Sequence, residues 1–329
     1  MKAFVTGATG FVGSSVARLL INKGFQVGIL VRKKSNLANV EGLSLKIHYG
    51  DLRDKISLER ALDGYDYLFH VAADYRLWVP RPEEIYQNNV QGTKNIMEAA
   101  SRTGIKRVVY TSSVATLGLN NDGTPANENT PVSLNDMIGH YKRSKFLAEK
   151  AVRSMVQKGD IDAVIVNPST PVGPRDIKPT PTGRMILEAA KGKMPAYVDT
   201  GLNIVHVDDV ALGHLLALEK GKSGRRYILG GQNMTLKQIL ETIASITGHS
   251  APAIKLPHNL ILPLAYLFEA FSKMTGKEPL TTVDGVRLAK KKMFFTSARA
   301  KRELGYSYRP ARIAIEDAIN WFRTKNLLK

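Results

Sequence analysis

Two side chains in this sequence have the types and spacing for proton transfer at a carbon–oxygen bond. Tyr141 and Lys145 stand four residues apart in the run YKRSK, and on a helix that spacing sets a phenol beside an ammonium on one face. A phenol ordinarily ionises near about 10, and an adjacent cation favours phenolate, so the pair is expected to draw Tyr141 toward the working pH. A polar run, Thr111-Ser112-Ser113, closes what reads as a strand and could add a hydroxyl. Tyr-x-x-x-Lys alone arises by chance; a second motif gives it meaning.

That motif is TGATGFVG, in which Gly7, Gly10 and Gly13 recur every third residue and Phe11 and Val12 open a helical pattern. Glycines at a strand-to-helix turn let backbone approach a pyrophosphate, and the helix start offers unpaired N–H groups and a positive dipole end. The spacing differs from G-x-G-x-x-G, but its place directly after the first strand predicts a dinucleotide site. At the end of the second strand, where NAD(H) binding calls for a carboxylate, stand Arg32, Lys33 and Lys34. An arginine fork binds a 2′-phosphate that a carboxylate would repel, so NADP(H) is favoured and NAD(H) is the alternative. The bland reading is three exposed loop cations. In GDLRD, Asp51 and Leu52 follow the third strand, a position suited to bracketing an adenine ring.

Other polar groups read less sharply. His206, Asp208 and Asp209 could suggest a metal site. Tyr75, Arg76 and Trp78 follow a strand end on the cofactor side and are candidate substrate contacts or simple loop packing. The absence of cysteine excludes disulfides, thiolate metal sites and cysteine nucleophiles.

The elements that must position these groups follow an alternating pattern. Lys2–Thr6, Gln26–Val31, Leu45–Tyr49, Tyr67–Val71, Arg107–Thr111 and Ala163–Val166 read as strands, with helices expected over Pro82–Ser101 and Gly139–Gln157. Such alternation predicts an α/β fold: a doubly wound parallel sheet with a smaller, mainly helical substrate lobe. From Pro168 the chain enters a proline-rich loop, and Asn203–Val207 and Arg226–Leu229 read as later strands. The expected division is 1–167 plus 203–231 for the dinucleotide-binding domain and 168–202 plus 232–329 for the substrate lobe. The apolar segment Leu256–Phe271 reads as a core helix of that lobe, with a lipid-facing surface as the alternative.

The chain has 329 residues and a formal charge of +18, and residues 285–329 carry 12 Lys and Arg against 3 Asp and Glu. The bland interpretation is a solvated basic surface; no zinc-finger, RRM-like or basic-zipper pattern points to specific nucleic acid. The longest apolar stretch, interrupted by Pro263, is too short for a transmembrane span, which leaves peripheral membrane contact open. No run near the start has signal-peptide length, and a cytoplasmic monomer or homodimer is expected.

Together these residues resemble the extended short-chain dehydrogenase/reductase family, also called the NAD-dependent epimerase/dehydratase family. The resemblance spans essentially the whole chain through HVAA (70–73), NNVQGT (88–93), TSSVATLG (111–118), NPSTPVGPRD (167–176) and VHVDDVA (205–211). Within the family, HVAADYRLW, TPTGRM and MPAYVDTGLN are most similar to hopanoid-associated sugar epimerases and dihydroflavonol 4-reductase-like proteins. The resemblance implies Ser113 as the hydrogen-bond donor to the reacting oxygen, Tyr141 as general acid/base and Lys145 as the partner of the nicotinamide ribose. It also implies cofactor contacts from Val71, Ala72, Ala73 and Pro168, and a helix-positioning role for Asn89. It implies too that the acids Asp208 and Asp209 are helix N-terminal caps, so no metal is expected. Val114 and Ala115 replace the Asp-Glu pair of family dehydratases, which argues against dehydration. Asn167 and Val172 replace the Arg and Tyr found in many sugar-nucleotide enzymes, which argues against a standard UDP-sugar. The expected activity is hydride transfer between NADP(H) and a small carbonyl or alcohol substrate. Epimerisation on a retained cofactor and a non-catalytic dinucleotide-sensing module are the alternatives.

Overall fold

Strands that are apolar at every position must be covered on both faces, and helices joining parallel strands supply that cover. A computed structural model of the chain describes residues 1–76, 78–275, 279 and 281–328. Its first half runs β1 (Lys2–Thr6), α1 (Phe11–Asn22), β2 (Gln26–Val31), β3 (Leu45–Tyr49), α2 (Lys55–Leu62), β4 (Tyr67–His70), α3 (Glu83–Tyr86), α4 (Gly92–Arg102), β5 (Arg107–Thr111), α5 (Gly139–Gln157) and β6 (Ala163–Pro168). The second half continues with β7 (Thr170–Val172), α6 (Pro181–Ala190), β8 (Ala196–Val198), β9 (Gly201–His206), α7 (Val207–Lys220), β10 (Arg226–Leu229), β11 (Gln232–Thr235), α8 (Leu236–Thr247) and β12 (Ile254–Leu256). It closes with α9 (His258–Thr275), α10 (Val283–Ala289), β13 (Lys292–Met293), α11 (Ala298–Leu304) and α12 (Ala311–Thr324).

Seven parallel strands form one sheet in the order β10-β6-β5-β4-β1-β2-β3. Successive residues feed opposite cores. Ala3, Val5, Val164 and Val166 pack under α1, α7 and α11, while Phe4, Ala163 and Ile165 pack under α2, α4 and α5. Strand order reverses between β1 and β4, so their C-terminal loops part there and leave the crevice in which doubly wound folds bind ligands.

Several elements differ from the sequence reading. β4 ends at His70, and Val71 already belongs to the loop that lines the crevice. The helix expected over Pro82–Ser101 is interrupted by a wide π-helical turn at Gln87–Gln91, which brings Asn89 inward. β9, expected within the segment returning to the large sheet, instead lies in a second sheet beside β11, β13 and β7; only α7 and β10 of that segment join the large one. The lobe is therefore less purely helical than anticipated. It carries this sheet, the β12–β8 pair, and a core of α6, α8 and α12 residues such as Ile186, Ile239 and Ile319. Finally, α9 is not a fully buried helix. Ala265 is buried, but Leu260 and Leu267 are about two-thirds exposed.

Candidate active site

The glycine turn lies at the strand-order reversal. Gly7 has φ +73°, and a Cβ there would stand 2.7 Å from the Ala72 backbone. A Cβ on Gly13 would lie 2.1 Å from the Gly7 carbonyl, so α1 can start this close to the loop only with glycine. Gly10 N–H bonds Gly7 O at 2.9 Å; no side chain caps α1 and no acid occupies its first turn. The first-turn N–H groups at Phe11, Val12 and Gly13 therefore meet no competing anion, and the cradle fits a pyrophosphate. Thr6 Oγ1 accepts the Ala72 N–H at 3.3 Å, tying the loops after β1 and β4 together across the crevice.

Arg32 is exposed at the end of β2, its charge reaching Asp51. Asp51 is held below the usual carboxylate range, chiefly by its bidentate bonds from Arg53 at 2.9 Å. Leu52 packs against Gly92, and its carbonyl accepts Asn95 Nδ2 at 2.8 Å. Val71 and Ala72 are half-buried and Ala73 exposed along the crevice, while Pro168 ends β6 in the buried sheet.

Tyr141 stands in the first turn of α5 and Ser113 two residues past the end of β5, its side chain beside the Tyr141 hydroxyl. Contrary to expectation, the phenol is pushed above its ordinary value. Burial dominates, and the neighbouring Ser113 side chain opposes it only in part. The Lys145 ammonium points elsewhere. Its ammonium donates to Thr111 O at 2.8 Å and to Tyr110 Oη at 3.2 Å, and sits 4.8 Å from the Tyr110 ring centre. Burial draws this ammonium down to about 8, with the Glu149 charge opposing.

Glu149, one turn beyond Lys145, was not singled out from sequence. Its carboxylate accepts Ser112 Oγ at 2.5 Å and Asn167 Nδ2 at 3.0 Å, lies 2.9 Å from Thr116 Oγ1, and meets Arg226 at 3.4 Å. Asn167 also donates to the Ser113 carbonyl at 3.0 Å. Four side chains from three segments thus converge on one buried carboxylate and hold the loop that presents Ser113. The available signal was a continuing stripe, Tyr141, Lys145, Glu149, every fourth residue on one helix. A second buried string runs beneath: His70 joins Thr6 at 2.7 Å and Thr93 at 3.1 Å and stacks on Tyr110. Burial and the Lys145 charge lower His70 to about 3, so it is neutral at ordinary pH.

Asn89 links the candidate substrate loop to the tyrosine helix, accepting Asp74 N at 2.7 Å and donating to Ser144 Oγ at 2.9 Å. In that loop Tyr75 is exposed and Trp78 half-buried, while Arg76 is paired with Asp74 at 2.6 Å. Charges on Asp176 and Arg184 act on Tyr75, so the loop faces the start of the lobe. His206, not the acids after it, caps α7, through Nδ1 at 3.0 Å from Asp208 N. Asp208 pairs with Arg175, Asp209 with Arg309 at 2.8 Å, and His206 Nε2 with Asp317 at 3.0 Å. Among the described residues no three His, Asp or Glu side chains are grouped to hold a metal. A separate cavity of about 960 Å³ opens beside α5 between the 117–138 loops and the lobe, lined by Lys142, His258 and Lys291 but not by Ser113 or Tyr141.

The model of the NAD dependent epimerase/dehydratase family matches residues 3–230, from β1 through β10. The chain belongs to this family. Members of the family bind a nicotinamide dinucleotide, and this one is an NAD(P)-dependent oxidoreductase of the extended short-chain dehydrogenase/reductase type. A Synechocystis sp. protein provisionally named dihydroflavonol 4-reductase is 44% identical over 99% of this chain and 96% of its own length. Sterol demethylase protein B of Methylococcus capsulatus is 36% identical over the full length of both chains. The crystal structure of gox2253 is 53% identical, covers 99% of each chain and superposes with a TM-score of 0.90. This last likeness carries the family architecture past residue 230, through the lobe.

Proposed function

We propose that this family member uses NADPH to reduce a carbonyl group on a flat, largely apolar small molecule. The observation that carries the reading is the Ser113 side chain set beside the Tyr141 hydroxyl, with Lys145 on the same helix as Tyr141, at the sheet edge that also presents the glycine cradle. When bound, the dinucleotide supplies hydride. Gly7, Gly10, Phe11, Val12 and Gly13 would hold its pyrophosphate and Arg32 its 2′-phosphate. Asp51 and Leu52 would flank adenine, and Val71, Ala72, Ala73 and Pro168 would line the rest.

Ser113 donates a hydrogen bond to the substrate oxygen and sets its distance from Tyr141. Burial that raises the phenol keeps Tyr141 protonated at neutral pH, as an acid must be before it donates to a developing alkoxide. Lys145, one helical turn away, would have to turn from Thr111 O and Tyr110 to offset the phenolate left behind. Tyr75, Arg76 and Trp78 would contact the substrate, since Asn89 ties their loop to the tyrosine helix. The relatives named for a dihydroflavonol reductase and a sterol demethylase component support a flat, ring-bearing substrate.

The test is NADPH consumption over a panel of aromatic ketones, aldehydes, sterol ketones and sugar nucleotides, in wild type and Tyr141→Phe. Losing the general acid is expected to lower turnover by about 100-fold or more while the NADPH dissociation constant holds. Activity within about threefold of wild type would show that another group moves the proton. Stoichiometric NAD retained through purification, with no NADPH consumed on any substrate, would replace reduction by epimerisation.

A further inference from the structure

Helix α9 covers the lobe with one face and leaves the other uncovered. Ala265 is buried, with Ile261 and Leu262 packed alongside it against Val283 and Val286 of α10. On the opposite side Leu260, Leu264, Leu267 and Phe271 are 65%, 50%, 66% and 64% exposed. At about 100° per residue these four fall within an arc of about 60° and form a stripe about 17 Å long. Ile254, on β12 just ahead of the helix, is 60% exposed as well. A helix covering a core ordinarily turns polar side chains to water, and a contiguous apolar stripe marks a contact surface.

The border of the stripe is cationic. Arg287 donates to Tyr266 Oη at 3.2 Å while also lying 3.7 Å from the Asp284 carboxylate, and Lys290 reaches Asn259 at 3.5 Å, so both cations touch α9 itself. Lys255, Lys291 and Lys292 are exposed nearby, with Asp199 neutralising part of the group through Lys255 at 3.0 Å and Lys292 at 3.8 Å. The acid of α9, Glu269, is turned away from the stripe and accepts the Val283 N–H at 2.8 Å. Among the described residues of α9 no exposed position is acidic. An apolar helix face rimmed by cations and an amphipathic tyrosine has the composition of a helix lying in a bilayer interface. A second copy of this chain is the poorer occupant. A two-fold contact would bring together two cation-rimmed faces of molecules that each carry +18.

We infer that the exposed face of α9 docks on an anionic lipid bilayer, with Leu260, Leu264, Leu267 and Phe271 entering the acyl boundary and Arg287 and Lys290 meeting the headgroups. The inference is independent of which substrate the oxidoreductase site takes. The experiment is sedimentation of the full chain with vesicles of phosphatidylcholine containing about 30% phosphatidylglycerol, and with phosphatidylcholine alone. Wild type is expected to pellet with the anionic vesicles and at least about tenfold less with the neutral ones. Leu264→Glu/Leu267→Glu and Arg287→Glu/Lys290→Glu are each expected to weaken binding by about tenfold or more. All four side chains are exposed, so unchanged melting temperature and NADPH affinity would show that the variants fold. Wild type left in the supernatant, or a leucine variant that binds as wild type does, would overturn the inference. So would light scattering that finds a wild-type dimer made monomeric by the leucine substitutions, since a second copy would then cover the face.

Discussion

Replacing Glu149 tests whether the buried carboxylate holds the Ser113 loop in place. Glu149 and Arg226 have side chains only 5% and 17% exposed, so neither charge can turn to water without rearrangement. Hydrogen bonds to a charged group contribute about 1.5–3 kcal/mol each, against about 0.5–1.5 for neutral pairs. Glu149→Gln keeps the volume and one oxygen for Ser112 and Asn167, but it makes their bonds neutral and turns an amide N–H toward the Arg226 guanidinium. Weakening two bonds by about 1 kcal/mol each and losing a 3.4 Å ion pair whose arginine keeps another partner, about 1 kcal/mol, sums to a loss of about 3 kcal/mol. Glu149→Ala also opens a cavity, and although Arg226 keeps the Glu128 carbonyl, its loss is expected at about 4–5 kcal/mol. Urea unfolding followed by tryptophan fluorescence and circular dichroism would read both values. Turnover should fall further than cofactor affinity, because Asn167 and Thr116 contact the Ser113 carbonyl whereas the network does not touch the glycine turn. Both variants lying within about 1 kcal/mol of wild type would refute the assignment of Glu149 as the anchor.

Two further outcomes are expected. Arg32→Asp should raise the NADP(H) dissociation constant at least about tenfold and reverse the preference over NAD(H), since it exchanges a charge-assisted phosphate contact for repulsion; calorimetry showing equal wild-type constants for the two cofactors would sink this. Burial raises the Asp176 carboxyl from 3.8 to about 6, so its ionisation costs folding in full above pH 6 and costs nothing below about 4, where both states are protonated. Asp176→Asn should therefore stabilise the protein by about 2–3 kcal/mol at pH 8 and by little at pH 4, and an unchanged or lower stability at pH 8 would contradict the shift.

Local features could be read directly from the amino-acid order. All seven strands of the large sheet begin at the residues expected of them, because most of them are buried on both faces and are written as apolar runs between turns. The glycine turn was legible because close approach of a loop to a helix admits no Cβ, a constraint carried by a few adjacent positions. The spacing of Tyr141 and Lys145 put them on one helix, as expected. It did not determine the electrostatics: the phenol rises because the fold buries it, and Lys145 turns instead to Thr111 O and Tyr110, partners more than thirty residues away. Glu149 gained its role only when residues 112, 116, 167 and 226 met around it. β9 reads as one more apolar strand, and only its pairing with β11 and β13 placed it in the second sheet. The same limit applies to α9, whose apolar residues surround the helix. Periodicity records what a segment can bury, whereas desolvation, charge pairing and uncovered faces depend on which distant segments the fold brings against it.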